Sequence, residues 1–121
     1  MRHREDDEAR ALWQWAQHVT VLRDHLYAIP NGGRRNKIEA ARMKGMGVRA
    51  GVSDYHLPLA RGGFIGLWIE LKEPRSGRTS DAQKEWLEKM AEAGHAAFVC
   101  KGWLEAKERL QWYILLPEAP P

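Results

Sequence analysis

Acidic and basic side chains suited to phosphate chemistry occur together in the segment Trp68-Ile-Glu-Leu-Lys72. Side chains alternate between the two faces of a β-strand, so Glu70 and Lys72 are expected on the same face. A carboxylate is an oxygen ligand of the kind that Mg²⁺ prefers, and an ammonium group offsets negative charge that develops on a phosphate. The motif alone is weak evidence, because exposed ion pairs are common on sheet faces.

A second carboxylate, Asp54, comes into register with this segment in a predicted hairpin. A three-residue loop, Arg61-Gly62-Gly63, would pair Ala60 with Phe64. Continuing this register makes one face apolar and places Asp54 opposite Glu70. The apolar pairs are Leu59 with Ile65, Leu57 with Leu67, and Tyr55 with Ile69. A slip by one residue would mix the two faces, which a sheet with one buried side resists.

Asp54, Glu70 and Lys72 are therefore predicted to form one catalytic site. The two carboxylates would hold Mg²⁺, with the backbone carbonyl of Leu71 as a further oxygen ligand. Water made more acidic by the metal would attack a phosphodiester, while Lys72 would offset the charge on phosphate.

The hydrophobic pattern around this hairpin predicts helices alternating with strands, and hence a mixed β-sheet covered by helices, in the α/β class. Helices are expected from about Asp6 or Asp7 through Val19, over Asn36–Met46 with Ile38, Ala41 and Met43 buried, from Thr79 or Ser80 to Gly94, and over Trp103–Leu110. Further strands are expected over Leu26–Ile29, Ala96–Cys100 and Trp112–Leu116.

The composition is that of an ordinary globular protein. The chain has 121 residues, of which 44% are hydrophobic and 29% charged, so we expect a single domain over 1–121 with its core at about 5–116. Neither a membrane-spanning run nor a secretion segment is recognisable, and a cytoplasmic protein is expected. Cys100, the only cysteine, is read as a buried, inert thiol.

Other residue types favour no second kind of site. The five histidines lack paired metal-ligand spacing, so a structural zinc is not expected. His56 is read as facing solvent. Most of the six tryptophans fall in core stripes, and none is assigned to base recognition.

Positive charge is concentrated in one window. The formal net charge is only +3, but the sixteen positions from Arg34 to Arg49 hold six basic residues against one acid. Such clustering suits a polyanion such as nucleic acid, whereas a solvated surface is the simpler reading of any charged run. The predicted contacts to the DNA backbone are Arg34, Arg35, Lys37, Arg42 and Lys44.

The order of several motifs resembles the PD-(D/E)xK nuclease superfamily. These motifs are Gly51-Val-Ser-Asp54, Ile69-Glu-Leu-Lys72 and Thr79-Ser-Asp-Ala-Gln83. Within the superfamily, Pro30-Asn-Gly-Gly33 and the basic Ala40-Ala-Arg-Met-Lys-Gly-Met-Gly47 resemble the stand-alone phage and bacterial VRR-NUC (virus-type replication-repair nuclease) domains. Ser53 stands where that family usually has proline, a residue that ligates nothing.

The resemblance, which covers roughly residues 5 to 105, implies a restriction-endonuclease-like fold, Mg²⁺ or Mn²⁺, and DNA cleavage. It also implies a homodimer acting on branched DNA such as Holliday junctions, in a bacterial or phage-infected cell. Gln83 becomes a site residue by resemblance, and so does Glu8, since the family's first helix supplies an acid. Glu8 is equally well explained as a first-turn acid favoured by the helix dipole, and Glu5 is a competing candidate.

A protein of a different class remains compatible with the same residues. The basic helix would equally serve a DNA-binding or assembly module that keeps the fold without the reaction. Metal-independent binding that weakens steeply with salt, without cleavage, would distinguish that module from a nuclease. A hydrolase of a small phosphorylated compound is disfavoured, because the basic surface is larger than such a substrate needs.

Overall fold

The computed structural model describes residues 4–30 and 36–118. The helices are α1 (Arg4–Ala16), α2 (Thr20–His25), α3 (Lys37–Gly45), α4 (Asp81–Glu92) and α5 (Trp103–Ile114). The strands are β1 (Tyr27–Ala28), β2 (Tyr55–Leu57), β3 (Leu67–Lys72) and β4 (Ala96–Lys101). None of the helices in these two ranges combines the length and the apolar character needed to cross a membrane.

The strands form one sheet in the order β1-β2-β3-β4. The pairs β1–β2 and β2–β3 are antiparallel, whereas β3–β4 is parallel because α4 connects those two strands. Every residue of β3 is buried, as expected for a central strand covered on both faces. The predicted mixed sheet flanked by helices is confirmed.

The core lies between the sheet and the helices α1 and α5. Leu12 and Ala16 of α1 pack with Leu110 and Tyr113 of α5 and with apolar side chains of β2 and β3. The spacing of each helical pair puts both of its members on one side of the helix. This packing fixes α1 and the central strand relative to each other, and both contribute to the site described below.

The predicted register of β2 against β3 is confirmed, and the turn beyond it is not. Tyr55 pairs with Ile69 and Leu57 with Leu67. The chain then pairs Arg61 with Phe64 around a two-residue turn, Gly62-Gly63, instead of pairing Ala60 with Phe64 around three residues. Both glycines have positive φ, 55° and 88°, which is the backbone of a tight hairpin turn. Ile65, predicted to pair with Leu59, is 55% exposed.

The helix α3 forms where it was predicted, but its residues are not buried. Asn36 caps it by accepting a hydrogen bond from the Glu39 backbone N–H at 2.7 Å. None of its nine residues is buried, and Ile38 is 82% exposed. The expectation that Ile38, Ala41 and Met43 enter the core was wrong, because this helix lacks the amphipathic pattern that would bury one face.

The predicted closing strand, Trp112–Leu116, is wrong. The helix α5 continues to Ile114, because Ala106, Leu110 and Tyr113 recur at helical spacing and are all buried. The Tyr113 hydroxyl donates a hydrogen bond to the Leu59 carbonyl at 2.6 Å, which ties the end of α5 to the chain following β2. The aromatic and β-branched residues that suggested a strand instead form the last turn of the helix.

His56 is half-buried rather than solvent-facing, which corrects the prediction. Its ring stacks on Trp68 at a centroid distance of 4.0 Å, and its Nδ1 shares a 2.6 Å hydrogen bond with the Tyr27 hydroxyl. Burial lowers the pKa of His56, and the neighbouring His95 lowers it further.

The short helix α2 was also not predicted, since six residues are too few to establish a helical period.

Candidate active site

The central strand places Glu70 and Lys72 side by side. Both are buried, and the Lys72 Nζ lies 3.8 Å from the Glu70 Oε2. Their alternation along the strand puts both side chains on the same face, as the sequence predicted. Since buried charges require partners, this pair marks a polar site within an otherwise apolar strand.

Asp54 is held in place by both neighbouring strands. Its Oδ2 accepts a 2.7 Å hydrogen bond from the backbone N–H of Leu71, and its carbonyl accepts a 2.8 Å bond from the Ile29 N–H. Asp54 immediately precedes β2, at the position opposite Glu70 in the observed register. Ser53, the residue before it, is fully buried.

Glu5, from the first turn of α1, completes a group of carboxylates. Oxygens of Glu5, Asp54 and Glu70 lie within 4.8 Å of one another, the only such acidic or metal-ligating group in residues 4–30 and 36–118. Glu5 is exposed, Asp54 half-buried and Glu70 buried, so the group opens from the sheet toward solvent. Three converging oxygen donors are a chemically suitable site for a hard divalent cation.

Mutual repulsion and burial alter the protonation of this group. Burial raises the pKa of Glu70 to about 9, and the neighbouring Asp54 carboxylate raises it further, while Lys72 lowers it. The pKa of Glu5 is raised by burial and by the charge of Asp54. Negative charge is therefore costly here without a cation, and a strongly shifted pKa in a group of this kind is typical of functional sites.

Gln83 joins α4 to the site. Its side chain accepts a hydrogen bond from the Ser80 backbone N–H at 2.8 Å, while the Ser80 hydroxyl accepts one from the Gln83 N–H, forming a capping box. The Gln83 Nε2 donates to the Glu70 Oε2 at 3.3 Å. Gln83 therefore both takes part in the cap of α4 and contacts a carboxylate of the site.

Glu8 lies elsewhere. Its Oε1 accepts a 2.9 Å hydrogen bond from the backbone N–H of Trp103, at the start of α5, and the structure does not bring Glu8 into the carboxylate group. The sequence contains a signal for choosing Glu5: it shares the stripe of Ala9, Leu12 and Ala16, which are spaced at i, i+4, i+7 and i+11. Leu12 and Ala16 are the fully buried residues of α1, so this stripe faces the sheet.

The predicted DNA-contacting residues are only partly within the described structure. Lys37, Arg42 and Lys44 are exposed on α3. Arg34 and Arg35 lie outside the described residues. The basic side chains that are described therefore belong to a helix with no buried residue.

A lysine beside converging carboxylates, on a mixed sheet flanked by helices, is the arrangement expected of a nuclease-type domain. The chain belongs to the VRR-NUC family: the family model described as VRR-NUC domain matches residues 3–103. That range contains every element up to the first residue of α5, and it includes the whole carboxylate group.

A solved structure agrees with this assignment. The chain is similar to a "VRR_NUC domain protein", with 31% sequence identity and a TM-score of 0.85. The similarity covers 98% of this chain and 93% of the other. No curated protein matches the sequence. The resemblance identified from the motifs is thereby confirmed at the level of the family and the fold.

Proposed function

We propose that the protein is a divalent-metal-dependent endonuclease that hydrolyses phosphodiester bonds in DNA. The observation that carries the proposal is the convergence of Glu5, Asp54 and Glu70 within 4.8 Å, beside Lys72. Membership of a nuclease family supports the reaction class. The geometry supports Glu5, rather than Glu8, as the residue that α1 contributes.

The carboxylates fit a hard divalent cation. The Glu70 Oε1 is buried and has no hydrogen-bond partner among the described residues, which is costly unless a ligand satisfies it. Oxygen donors without sulfur or nitrogen favour Mg²⁺ or Mn²⁺ over zinc. When bound, such an ion would supply Lewis acidity at a phosphate and lower the pKa of a coordinated water.

The Leu71 carbonyl is proposed as a further oxygen ligand. The Lys72 carbonyl at the end of β3 accepts a hydrogen bond from the Gly102 N–H, and the carbonyl of Gly66, just before β3, accepts one from the Ala96 N–H, so these carbonyls point toward β4. Backbone groups alternate in direction along a strand. The Leu71 carbonyl then points toward the opposite edge, where the Leu71 N–H already bonds Asp54.

Side chains around the cluster have separate tasks in this proposal. Lys72 offsets negative charge on the phosphate and limits the repulsion among the carboxylates. Gln83 orients Glu70 through the 3.3 Å hydrogen bond to its Oε2. The Leu71 N–H holds Asp54, so the carboxylates are positioned by backbone as well as by side chains.

Exposed cations on α3 would bind the DNA backbone, because phosphate contacts are electrostatic and need no buried partner. Lys37, Arg42 and Lys44 have this role in the proposal, together with Arg34 and Arg35.

Branched DNA such as a Holliday junction is the proposed substrate, and a homodimer is the proposed assembly. A twofold dimer would set two sites at a fixed separation, which suits a symmetric junction.

A cleavage panel tests the proposal. Duplex, flapped and four-way-junction DNA are incubated with the protein and Mg²⁺ or Mn²⁺, and oligomeric mass is measured in parallel. Asp54→Asn and Lys72→Ala should each slow cleavage at least about a hundredfold. Lys89→Ala, which removes an exposed lysine paired with Glu85 on α4, is the control and should cleave normally.

Two results would contradict the proposal. Undiminished cleavage by Asp54→Asn would exclude the carboxylate mechanism. Binding that needs no metal and weakens steeply with salt, without cleavage of any substrate, would instead identify a non-catalytic DNA-binding module.

A further inference from the structure

An apolar groove of about 470 Å³ lies between α1 and the edge strand β1. We call it the α1–β1 groove; its lining includes Ala9, Arg10, Trp13, Gln14, Tyr27 and Tyr55. Its volume is within the range of small-molecule sites, about 300–1,000 Å³. The function proposed above uses none of its side chains.

The groove begins beside the carboxylate cluster. Glu5, Ala9 and Trp13 are spaced by four residues on α1, so they lie along one side of the helix. Tyr55 directly follows Asp54, and its hydroxyl donates a 3.4 Å hydrogen bond to the Ala9 carbonyl, which closes the floor. A polymer whose backbone occupies the carboxylate cluster could therefore extend along α1 into the groove.

The side chains of the groove suit a flat ring on an anionic chain. Trp13 is 38% exposed and Tyr27 45% exposed, so both offer accessible aromatic surface. The orientation of Tyr27 is fixed in advance by the hydrogen bond between its hydroxyl and His56. Arg10 is exposed at the rim, and the described lining residues include no carboxylate. Aromatic surface beside a cation is the combination that binds single-stranded nucleic acids by base stacking.

The distance along α1 gives the separation between the groove and a phosphate at the carboxylate cluster. Ala9 and Trp13 lie about 6 and 12 Å from Glu5 along the helix axis, at roughly 1.5 Å per residue. Successive nucleotides of one strand are roughly 3.4 Å apart in duplex DNA, so the groove is about two to four nucleotides from a phosphate at the cluster.

We propose that the α1–β1 groove binds one unpaired nucleobase of the strand that is cut. The proposal rests on the proposed nuclease function and adds a reason for selectivity. An unpaired base enters such a groove at the smallest unstacking cost, whereas a paired base must first leave the helix. The groove would therefore favour branched DNA whose nucleotides close to the cleaved bond are unpaired, as in a flap, or easily unpaired, as at the branch point of a junction.

Binding of fluorescent DNA tests the subsite without cleavage. Flapped duplexes carry a single 2-aminopurine at successive unpaired positions near the branch, with Ca²⁺ in place of Mg²⁺, beside a fully paired duplex. We expect quenching at one position and a Trp13→Ala variant that binds the flapped DNA about tenfold more weakly. Its affinity for the paired duplex should be unchanged, and Trp13→Phe should retain most of the binding.

Trp112→Ala is the matched control. Trp112, on α5, is 39% exposed like Trp13, but it packs beside Phe64 and Phe98, away from the groove. It should leave both affinities unchanged. The subsite is excluded if no position is quenched by wild-type protein, or if Trp13→Ala weakens binding to flapped and paired DNA equally. A change of oligomeric mass in Trp13→Ala would assign the groove to a second copy of the chain and also overturn the proposal.

Failure of the subsite and failure of the nuclease proposal give different results. One result would refute the nuclease function and retain the base-binding groove. The protein would quench 2-aminopurine at one position and Trp13→Ala would weaken binding to flapped DNA alone, but no DNA would be cleaved with Mg²⁺ or Mn²⁺. Cleavage that is lost in Asp54→Asn and unaffected by Trp13→Ala, on flapped and paired DNA alike, would refute the groove and retain the nuclease.

Discussion

Glu5 and Glu8 lie three residues apart on α1 and contact different parts of the molecule. Glu5 joins Asp54 and Glu70, whereas Glu8 accepts a hydrogen bond from the Trp103 N–H. The sequence left both open, since each is an acid near the start of the first helix, where the helix dipole favours negative charge. The packing of α1 against the sheet, along the stripe of Leu12 and Ala16, brings Glu5 to the site.

This difference predicts separate effects of removing each acid. Glu5→Gln should slow cleavage at least about tenfold with little loss of stability, because it removes a proposed ligand that is repelled by its neighbours. Glu8→Ala should lower the free energy of unfolding by about 1.5–3 kcal/mol, the usual worth of a hydrogen bond to a charged group. Cleavage rates and urea unfolding check both; normal stability of Glu8→Ala together with lost cleavage would reverse the two roles.

Glu70 makes the stability of the metal-free protein depend on pH. Its pKa is raised from 4.5 to about 9, so between these values the folded protein binds more protons than the unfolded chain. The free energy of unfolding should therefore fall as pH rises through this window. Glu70→Gln removes this contribution. In EDTA, the difference in the free energy of unfolding between this variant and wild type should therefore be larger at pH 8 than at pH 5, in favour of the variant, by about 1 kcal/mol or more.

Thermal unfolding at the two pH values measures this, with Glu85→Gln on the exposed face of α4 as control. Adding Mg²⁺ should stabilise wild type and leave Glu70→Gln almost unchanged, because the ion removes the repulsion only where the carboxylate exists. A Glu70→Gln variant with the same pH dependence as wild type would contradict the raised pKa.

At the scale of elements, the loop before β2 positions Asp54 by packing on α4. Gly51 has a φ of +87°, and a Cβ there would lie 2.4 Å from the Ala82 carbonyl oxygen. The backbone therefore approaches the start of α4 too closely for any other residue. Because Gln83 contacts Glu70 from the same turn of α4, this approach sets Asp54 and Gln83 relative to one another.

Gly51→Ala should lower the free energy of unfolding by about 2 kcal/mol or more and slow cleavage, since the strained loop must shift Asp54. Gly45 is the matched control: it ends α3, and a Cβ there meets nothing within 4 Å. Gly45→Ala should be neutral or stabilise by up to about 1 kcal/mol. Equal effects of the two substitutions in urea unfolding would show that the Gly51 contact does not constrain the loop.

Elements with alternating or helical patterns could be predicted, and their ends could not. The register of β2 and β3 followed from the demand for one apolar face, and it places Asp54 opposite Glu70. The length of the turn at Gly62-Gly63 was ambiguous, because both glycines lie within a two-residue turn and within a three-residue loop that includes Arg61. For Trp112–Ile114, a run of aromatic and β-branched residues suits a strand as well as a helix, and packing of Tyr113 decided the outcome.

At the scale of the whole molecule, β4 lies at the edge of the sheet and is covered by α5. Cys100 on this strand is 1% exposed, and burial, with a smaller contribution from Glu105, raises the pKa of its thiol to about 12. The thiol was predicted from sequence to be buried and inert, and its burial is confirmed. Its reactivity should therefore report opening of the domain.

Reaction of Cys100 with a disulfide reagent at pH 8 should be slow in the native protein and complete within the mixing time in concentrated urea. Native reaction should follow the population of the open state, because the thiolate forms only when the domain opens. Addition of Mg²⁺ should slow the native reaction by stabilising the closed form. A native rate equal to that in urea would contradict the burial of this strand.

The family, the fold class and the central pair of acids were accessible from one sequence, because they depend on motif order and on strand alternation. The exposed helix α3 was not, since Ile38 is a residue type usually found in the core and only the folded structure reveals that it is 82% exposed. The α1–β1 groove was equally inaccessible, because α1 and β1 meet only in the folded molecule.

Metal binding at the carboxylate cluster is tested most directly by titrating the protein with Mn²⁺ and following the electron paramagnetic resonance signal of the free ion. Wild type and Glu8→Gln should remove free Mn²⁺ with the same affinity. Asp54→Asn and Glu5→Gln should each bind at least about tenfold more weakly. Mn²⁺ binding by Asp54→Asn that equals wild type would contradict the assignment of Glu5, Asp54 and Glu70 as the metal site.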